Sequence, residues 1–463
     1  MASSTPTRAL DAAHFMHPFT DHAALAQAGV KVITGAQGIF VHDDQGQALL
    51  DAMSGLWCVN VGYGRQALAD AAAAQMMKLP YYNAFFNTTT EPPVQLAERL
   101  CALAPAMGDK RMTHVFYSSS GSESNDSNVR MARRYWDLMG QPERQVIIGR
   151  WNGYHGSTMA GASLGGMRAM HAQGGLPIPD IEHIDQPYYL DHRLPGESEA
   201  DFGVRAARWL EAKILEVGPH RVAAFIGEPV QGAGGVIVPP ATYWPEIQRI
   251  VDQYGILLIS DEVICAFGRL GHWFAYERFG MRPDLVTFAK GITSGYVPLG
   301  GVLISNRVAD VLIERGGEFN HGYTYSGHPV ACAVALANLD IMQAEDLVQR
   351  VHDDTGPYLA QCYAELAQHP LVGDVQTCGM VGALLLVRDK NSLTRFADEA
   401  NVGMRCRAHC FANGLIMRAV GDRMIVAPPL VMTRSDIDNM VQRIRRVLDL
   451  TWAELLAQDM VKG

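Results

Sequence analysis

From about residue 65 to residue 340, short apolar segments alternate with longer segments of helical periodicity. This alternation predicts successive βαβ units, and therefore an α/β fold with a mostly parallel sheet covered by helices on both faces. The clearest predicted strands are 114–117, 145–148, 223–226, 256–260, 285–289 and 301–304. After residue 340, a long helix, a strand near 381–387, another helix and paired strands around 415–427 predict a smaller α+β unit.

These patterns predict three structural parts. Residues 66–340 form the large domain, and residues 341–463 form a small C-terminal α+β domain. Residues 1–65 are expected to pack with the small domain.

Composition excludes several classes of protein. The hydrophobic content of 48% and charged content of 19% are typical of a globular chain, and the net charge of -10 argues against nucleic acid as the main partner. No apolar run approaches the roughly 20 residues needed to span a bilayer, and the N-terminus lacks the apolar core of a secretory signal. Eight scattered cysteines without a CxxC pair indicate reduced thiols, so we expect a cytoplasmic protein that binds no membrane.

Residues with unusual chemical properties follow or end three of the predicted strands. In open α/β sheets, ligands bind beyond the carboxyl ends of the strands. Lys290 follows the strand 285–289, and Asp261 follows the strand 256–260. The third end is YSSSGSESN at 117–125, which precedes a helix predicted over 125–136. Backbone amides at the start of a helix, beside small residues, form a general anion site.

Each feature has an ordinary alternative. The lysine can be solvated or salt-bridged, the pair Asp261 and Glu262 can cap a helix or hold Mg²⁺, and the serines can be a plain N-cap. The nucleotide-binding alternatives lack their other parts, because the chain has no Gly-Lys dipeptide and GAGG at 232–235 is not GxGxxG. There is no HExxH either, and we expect no metal.

Pyridoxal phosphate requires all three features together. This cofactor needs a lysine for its aldehyde, an acid against its pyridine nitrogen and an anion site for its phosphate. Asp261 would keep the ring nitrogen protonated, and Lys290 would bind the cofactor and carry a proton as general base and acid. One hypothesis therefore explains three separate strand ends.

The sequence resembles the class III pyridoxal-phosphate aminotransferases of fold type I over nearly its whole length. The most specific block is LLISDEVICAFGRLGHWFAYERFGMRPDLVTFAKGITSGYVPLGG, residues 257–301. The resemblance implies a homodimer with two active sites at its interface, and it leaves a tetramer open.

The resemblance also implies roles for further residues. It assigns Ser120, Gly121 and Ser122 to the phosphate, Tyr154 to stacking on the pyridine ring, His155 to support of that loop, and Glu228 and Val263 to the surroundings of the cofactor. It gives Thr324 to the phosphate in the neighbouring subunit, with Tyr323 beside it.

The substrate pocket is predicted from Arg418 and a set of aromatic residues. A guanidinium suits a planar carboxylate through two parallel hydrogen bonds, and Arg418 matches the substrate arginine of the family. Relatives that act on ornithine or 4-aminobutyrate commonly carry a glutamate where this chain has Ala233. The predicted aromatic wall consists of Trp57, Phe85, Phe86, Tyr154 and, as a further member, Phe19. The ordinary alternatives are core packing for the aromatics and a solvated hairpin for the arginine.

This pattern resembles the amine:pyruvate or ω-amino acid:pyruvate branch of the family. It implies a ping-pong ω-aminotransferase that takes an amino group from a primary amine, a diamine or an ω-amino acid and gives it to the keto acid pyruvate. Two alternatives stay open: another pyridoxal-phosphate reaction, such as that of an aminomutase or decarboxylating aminotransferase, and a non-catalytic protein that binds the cofactor.

Overall fold

A computed structural model of the chain describes residues 6–462. Residues 1–5 of the predicted N-terminal segment, and residue 463, lie outside the described residues. The largest element is a seven-stranded sheet in the order β4-β10-β9-β8-β7-β5-β6. Its strands are β4 Met112–Ser118, β5 Val146–Arg150, β6 Ile181–Ile184, β7 Val222–Gly227, β8 Leu257–Asp261, β9 Leu285–Phe288 and β10 Gly300–Ser305.

This sheet confirms the predicted α/β class. The strands from β9 to β6 pair in parallel, and β10 alone runs antiparallel to both of its neighbours. Every residue of β7, β8 and β9 is buried, as the nearly continuous apolar sequence of these strands requires when helices cover both faces. All six predicted strands are present, whereas β6 was not predicted.

Ten helices of the chain between residues 66 and 344 accompany this sheet. They are α4 Gln66–Lys78, α5 Glu91–Leu103, α6 Gly121–Leu138, α7 Met159–Leu164, α8 Arg168–His171, α9 Tyr189–His192, α10 Glu199–Val217, α11 Tyr243–Tyr254, α12 Asn306–Arg315 and α13 Pro329–Ala344. Short 3₁₀ turns occupy Pro219–Arg221 and Lys290–Ile292.

Helix α6 begins four residues before its predicted start at 125. The Ser120 hydroxyl accepts a hydrogen bond from the Glu123 amide at 3.3 Å, and the Glu123 carboxylate accepts one from the Ser119 amide at 2.7 Å. These two hydrogen bonds start the helix within a run of serines that has little intrinsic helix propensity.

Two smaller sheets contain the rest of the strands. The first has the order β1-β2-β3-β13, with β1 Ile33–Gln37, β2 Phe40–Asp43, β3 Ala48–Asp51 and β13 Leu415–Ile416. The second has the order β11-β12-β15-β14, with β11 Val372–Cys378, β12 Val381–Leu386, β14 Arg418–Val420 and β15 Arg423–Val426. The remaining helices are α1 Pro6–His14, α2 His22–Ala28, α3 Ser54–Trp57, α14 Leu347–Arg350, α15 Gly356–Leu366, α16 Val402–Ala412 and α17 Arg434–Ala457, with a π-helical turn at Val351–Thr355 and a 3₁₀ turn at Asp398–Ala400.

The segment 415–427 forms one hairpin and one separate strand. β14 and β15 pair with each other, but β13 pairs in parallel with β3 near the N-terminus, joining Leu415 to Leu50. The division into domains stays a prediction, and its boundary at 340 falls inside helix α13.

Arg269 joins three distant parts of the chain. Its guanidinium has no exposed surface, and it donates to the carbonyl groups of Met380, at 3.1 Å, and Pro428. It also donates to the Asn60 side-chain oxygen at 2.8 Å and to the Ser54 hydroxyl at 3.3 Å. Burial lowers the pKa of Arg269 to about 10. Neutral acceptors from residues 54–60 and from residues 380–428 therefore hold the guanidinium.

We expect Arg269→Met to lower the free energy of unfolding by about 2–4 kcal/mol, because it leaves buried acceptors without a donor. Denaturant titration followed by tryptophan fluorescence measures the loss. The control is Arg249→Met on helix α11, where the side chain is 46% exposed and its ion pairs contribute little. Equal losses in the two variants would show that Arg269 does not hold these segments together.

Candidate functional site

A cavity of about 420 Å³ lies where the predicted strand ends meet. Eight of the predicted site residues line it: Ser120, Gly121, Ser122, Tyr154, His155, Asp261, Val263 and Lys290. They come from the start of α6, the chain after β5, the end of β8 and the end of β9. The structure therefore brings together the three strand ends that the sequence singles out.

Lys290 occupies a strained turn directly after β9. Its backbone φ is 50°, a left-handed conformation that non-glycine residues rarely adopt. The Asn338 side chain holds this turn by donating to the carbonyl groups of Gly291, at 2.9 Å, and Ile292, at 3.0 Å. Burial lowers the pKa of the Lys290 amine, and within residues 6–462 the amine has no hydrogen-bond or ion-pair partner. A desolvated, unpaired amine is suited to react with a carbonyl group and to carry a proton.

Asp261 ends β8 with its carboxylate 2–3% exposed. One oxygen accepts hydrogen bonds from the His155 ring, at 2.7 Å, and from the Asn125 amide, at 2.8 Å. The other oxygen accepts from the Val263 amide at 3.1 Å. Because the His155 Nδ1 faces a carboxylate, we assign the proton to that nitrogen. Three donors thus stabilise a negative charge at the cavity wall.

The start of α6 provides an anion site. Among the described residues, the amides of Gly121 and Ser122 have no hydrogen-bond acceptor, as is usual in the first turn of a helix. A Cβ atom at Gly121 would lie 2.8 Å from the Val263 side chain, so glycine is required for this close approach. The Ser122 hydroxyl accepts a hydrogen bond from the Ser157 amide at 3.1 Å. The free amides and the helix dipole favour a phosphate here.

Glu228 holds two loops beside the cavity. Its buried carboxyl group accepts hydrogen bonds from the amides of Tyr154, at 3.1 Å, and Gly232, at 2.9 Å. Burial raises the pKa of Glu228. These contacts indicate that Glu228 positions the loop that carries the Tyr154 ring.

The predicted aromatic wall is dispersed in one chain. Phe19 lies 6.3 Å from Tyr154 between ring centroids and is 74% exposed. Trp57 is buried in a hydrophobic cluster, in line with the core-packing alternative. Phe85 and Phe86 are exposed, and Phe85 lines a separate surface cavity of about 890 Å³. Of the predicted wall, Tyr154 alone lines the 420 Å³ cavity of the described chain.

Tyr323 and Thr324 also lie away from this cavity. The Tyr323 hydroxyl donates to the Glu123 carbonyl at 2.8 Å, and the Thr324 carbonyl accepts from the Tyr81 hydroxyl at 2.7 Å. These contacts attach the loop 318–327 to the first turn of α6 and to the chain after α4.

Arg418 begins β14 and is half-buried. In the part of the chain that the structure describes, its guanidinium has no hydrogen-bond or ion-pair partner. Burial lowers the pKa of Arg418, and the nearby Tyr154 phenol acts in the opposite direction. A partly desolvated guanidinium without an anion is available to a carboxylate ligand.

Ten residues that line the cavity were not among the predicted site residues, and Asn125 and Cys58 are two of them. Asn125 ends the quoted SGSESN motif and lies one helical turn after Gly121, so its position on the same face of α6 is a signal that the sequence contains. Cys58 also lines the cavity, and nothing in its sequence surroundings indicates this.

Comparisons with known proteins agree with this geometry. Residues 24–448 match the family described as aminotransferase class-III. The chain is 54% identical, over 457 residues and 98% of each chain, to putrescine–pyruvate aminotransferase of Pseudomonas aeruginosa. It is 40% identical over 443 residues to γ-aminobutyrate transaminase 1, mitochondrial, of Solanum lycopersicum, covering 95% of this chain and 85% of that protein.

Solved structures show the same fold. The ω-transaminase of Pseudomonas jessenii in complex with PMP superposes with a TM-score of 0.93 at 39% identity, covering 96% of this chain and 98% of that one. An (S)-enantioselective ω-transaminase of Thermomicrobium roseum gives a TM-score of 0.92 at 43% identity, covering 96% and 98%.

Pyridoxal phosphate fits the groups present. The unpaired Lys290 amine, the buried Asp261 carboxylate and the free amides of α6 match its aldehyde, its pyridine nitrogen and its phosphate. These residues share one cavity, and the family depends on this cofactor. The predictions of fold type, enzyme class and cofactor are therefore confirmed, and this chain belongs to the class III aminotransferases, which depend on pyridoxal phosphate.

Proposed function

We propose that this enzyme moves an amino group from a primary amine, a diamine or an ω-amino acid to pyruvate by a ping-pong mechanism. The observation that carries the proposal is Arg418, a half-buried guanidinium without an anionic partner among residues 6–462. Relatives acting on ornithine or 4-aminobutyrate commonly hold this arginine with a glutamate, whereas the corresponding residue here is Ala233. The arginine is therefore free to bind the acceptor's carboxylate.

The comparisons support this choice of substrates. The relative that is 54% identical is a putrescine–pyruvate aminotransferase, which pairs a diamine with a keto acid. The similar solved structures are ω-transaminases. A primary amine without a nearby carboxylate is the donor that an unpaired, movable arginine accommodates.

Different residues of the chain have different roles in the proposed reaction. Bound pyridoxal phosphate supplies an electron sink and carries the amino group between substrates. The amides of Gly121 and Ser122 would bind the phosphate, the Tyr154 ring would lie against the pyridine, and Asp261 would hold the proton on the ring nitrogen. The Lys290 amine takes up and returns the proton of the reacting carbon, a role that its lowered pKa favours. Arg418 orients the carboxylate of pyruvate.

We also propose a homodimer with shared active sites. Phe85, Phe86 and Tyr325 are exposed around the surface cavity and the loop 318–327, and exposed aromatic clusters mark interaction surfaces. A second copy covering this surface would bring Thr324 and the two phenylalanines to the neighbouring cavity.

No helix among residues 6–462 is long and apolar enough to cross a membrane. The eight free cysteines support a cytoplasmic location.

Lys290→Ala should bind pyridoxal phosphate without a covalent bond and lose turnover by about three orders of magnitude or more, because both the attachment site and the proton carrier are absent. Borohydride reduction of the wild-type enzyme, followed by peptide mapping, should place the cofactor on Lys290. Attachment to Lys110, which is also largely buried, would contradict the assignment.

Arg418→Ala should damage the half-reaction with pyruvate by roughly 2–4 kcal/mol, the scale for removing one partner of a desolvated charge pair. The half-reaction with an arylalkylamine should change little, because that donor has no carboxylate. Stopped-flow absorbance follows each half-reaction separately. The matched control is Arg144→Ala, a half-buried arginine after α6 that stacks on Trp136 at 4.3 Å. Equal damage to both halves would mean that Arg418 supports the fold or the cofactor.

Mixed dimers test whether Thr324 acts across the interface. A Lys290→Ala chain paired with a Thr324→Ala chain should regain one site with both side chains, and this site should retain cofactor like the wild type. The control pairs a chain carrying both substitutions with a wild-type chain. If Thr324 acts across the interface, no unimpaired site forms in the control dimer, whereas action within its own chain reverses the two results.

A further inference from the structure

We propose that Asn125 is a positioning residue that holds the Asp261 carboxylate in place for the ring nitrogen of the cofactor. The inference rests on the proposed role of Asp261 and deepens it. Asn125 lies on α6 with no exposed surface, and its Nδ2 donates to the Asp261 carboxylate and to the His155 carbonyl, each at 2.8 Å.

The opposite side of the Asn125 amide is also fully bonded. Its Oδ1 accepts a hydrogen bond from the Thr287 hydroxyl at 2.9 Å and from the Asn128 amide at 3.0 Å. Both donors and both acceptor positions of the side chain are therefore used, in a region without exposed surface. The Asn125 side chain is therefore held at all four of its hydrogen-bonding positions.

The surroundings determine which way the Asn125 amide points. A carboxylate and a carbonyl group lie on the Nδ2 side, and neither can donate a hydrogen bond. A flipped amide would place its oxygen against two acceptors and leave buried groups unpaired, which is costly. Thr287 and Asn128 favour the same orientation by donating to Oδ1.

Asn125 differs from the other side-chain donor to Asp261. His155 donates to the same carboxylate oxygen at 2.7 Å, but each nitrogen of an imidazole ring can be a donor or an acceptor. The Asn125 amide is uncharged at every pH at which the protein is folded, and it provides a donor that does not titrate. It also lies one turn along α6 from the amides that bind the phosphate. One helix therefore fixes both the phosphate end and the ring-nitrogen end of the cofactor site.

The test is Asn125→Asp in the holoenzyme, with the cofactor isotopically labelled at its ring nitrogen. This substitution keeps the shape of the side chain and replaces the donor by a second carboxyl group. Two facing carboxyl groups share a proton, so the negative charge available to the ring falls. We expect the magnetic resonance of the labelled nitrogen to move toward its unprotonated position. We also expect the rate of cofactor dissociation to rise about tenfold or more, the effect of one lost hydrogen bond to a charged group.

A matched pair at Thr287 keeps the inference testable if Asn125→Asp folds poorly. Thr287→Val keeps the shape and removes the hydroxyl, whereas Thr287→Ser keeps the hydroxyl and removes a methyl group. The valine variant should move the nitrogen resonance in the same direction by a smaller amount, and the serine variant should leave it in place. A role in packing alone would instead lower the thermal stability of the serine variant and leave the resonance unmoved in both.

Asp261→Asn, measured in parallel, distinguishes a wrong role for Asn125 from a wrong role for Asp261. If Asp261→Asn moves the resonance and Asn125→Asp and Thr287→Val do not, the positioning role of Asn125 is wrong while the role of Asp261 stands. If Asp261→Asn also leaves the resonance unchanged, the proposed contact between Asp261 and the ring is itself wrong.

Discussion

The arrangement of the site depends on the burial of the Arg269 guanidinium. Arg269 binds Asn60, and the Asn60 amide packs so closely on the turn after Lys290 that a Cβ atom at Gly291 would lie 2.6 Å from it. Arg269 also binds the Pro428 carbonyl, which follows the strand β15 that pairs with the Arg418 strand. One side chain thus connects the turn that carries the reactive amine to the sheet that carries the candidate substrate arginine. A cation is suited to this because it donates to several neutral acceptors at once.

Burial then sets the chemical properties of the charged groups around the cavity. Desolvation lowers the pKa values of Lys290 and Arg418 and raises that of Glu228, each toward the uncharged form. Asp261 has three hydrogen-bond donors, whereas among residues 6–462 the Lys290 amine has no hydrogen-bond or ion-pair partner. The Asp261 carboxylate is thus fixed, while the Lys290 amine stays available. Proton transfer beside a protonated ring requires both conditions.

The sequence predicts those parts of the fold and site that depend on local pattern. Continuous apolar segments identify six strands of the large sheet, and their ends place Asp261, Lys290 and the α6 turn in one cavity. Long-range pairing was not predictable in this way, because β13 is two residues long and pairs with a strand near the N-terminus. The sequence could not decide between the pocket and the core-packing alternative for Trp57 for the same reason, since its neighbours in the core, such as Val230 and Ile264, are distant in sequence.

The groups for the cofactor and the candidates for the substrate pocket lie in parts of the chain that differ in rigidity. The cofactor groups lie at strand ends and on the first turns of α6, where backbone hydrogen bonds fix the side chains to within narrow limits. Three aromatic candidates for the substrate wall, Phe19, Phe85 and Phe86, lie in the chain before β1 and the chain between α4 and α5, and Phe19 and Phe86 are largely exposed. Exposed aromatic surface is unfavourable by roughly 25 cal/mol per Å² relative to burial, so these residues gain stability when a second chain covers them. In the proposed homodimer, assembly and substrate selection are therefore coupled: the surface that the partner would cover carries aromatic candidates and Thr324, whereas Lys290, Asp261 and the start of α6 already meet within one chain.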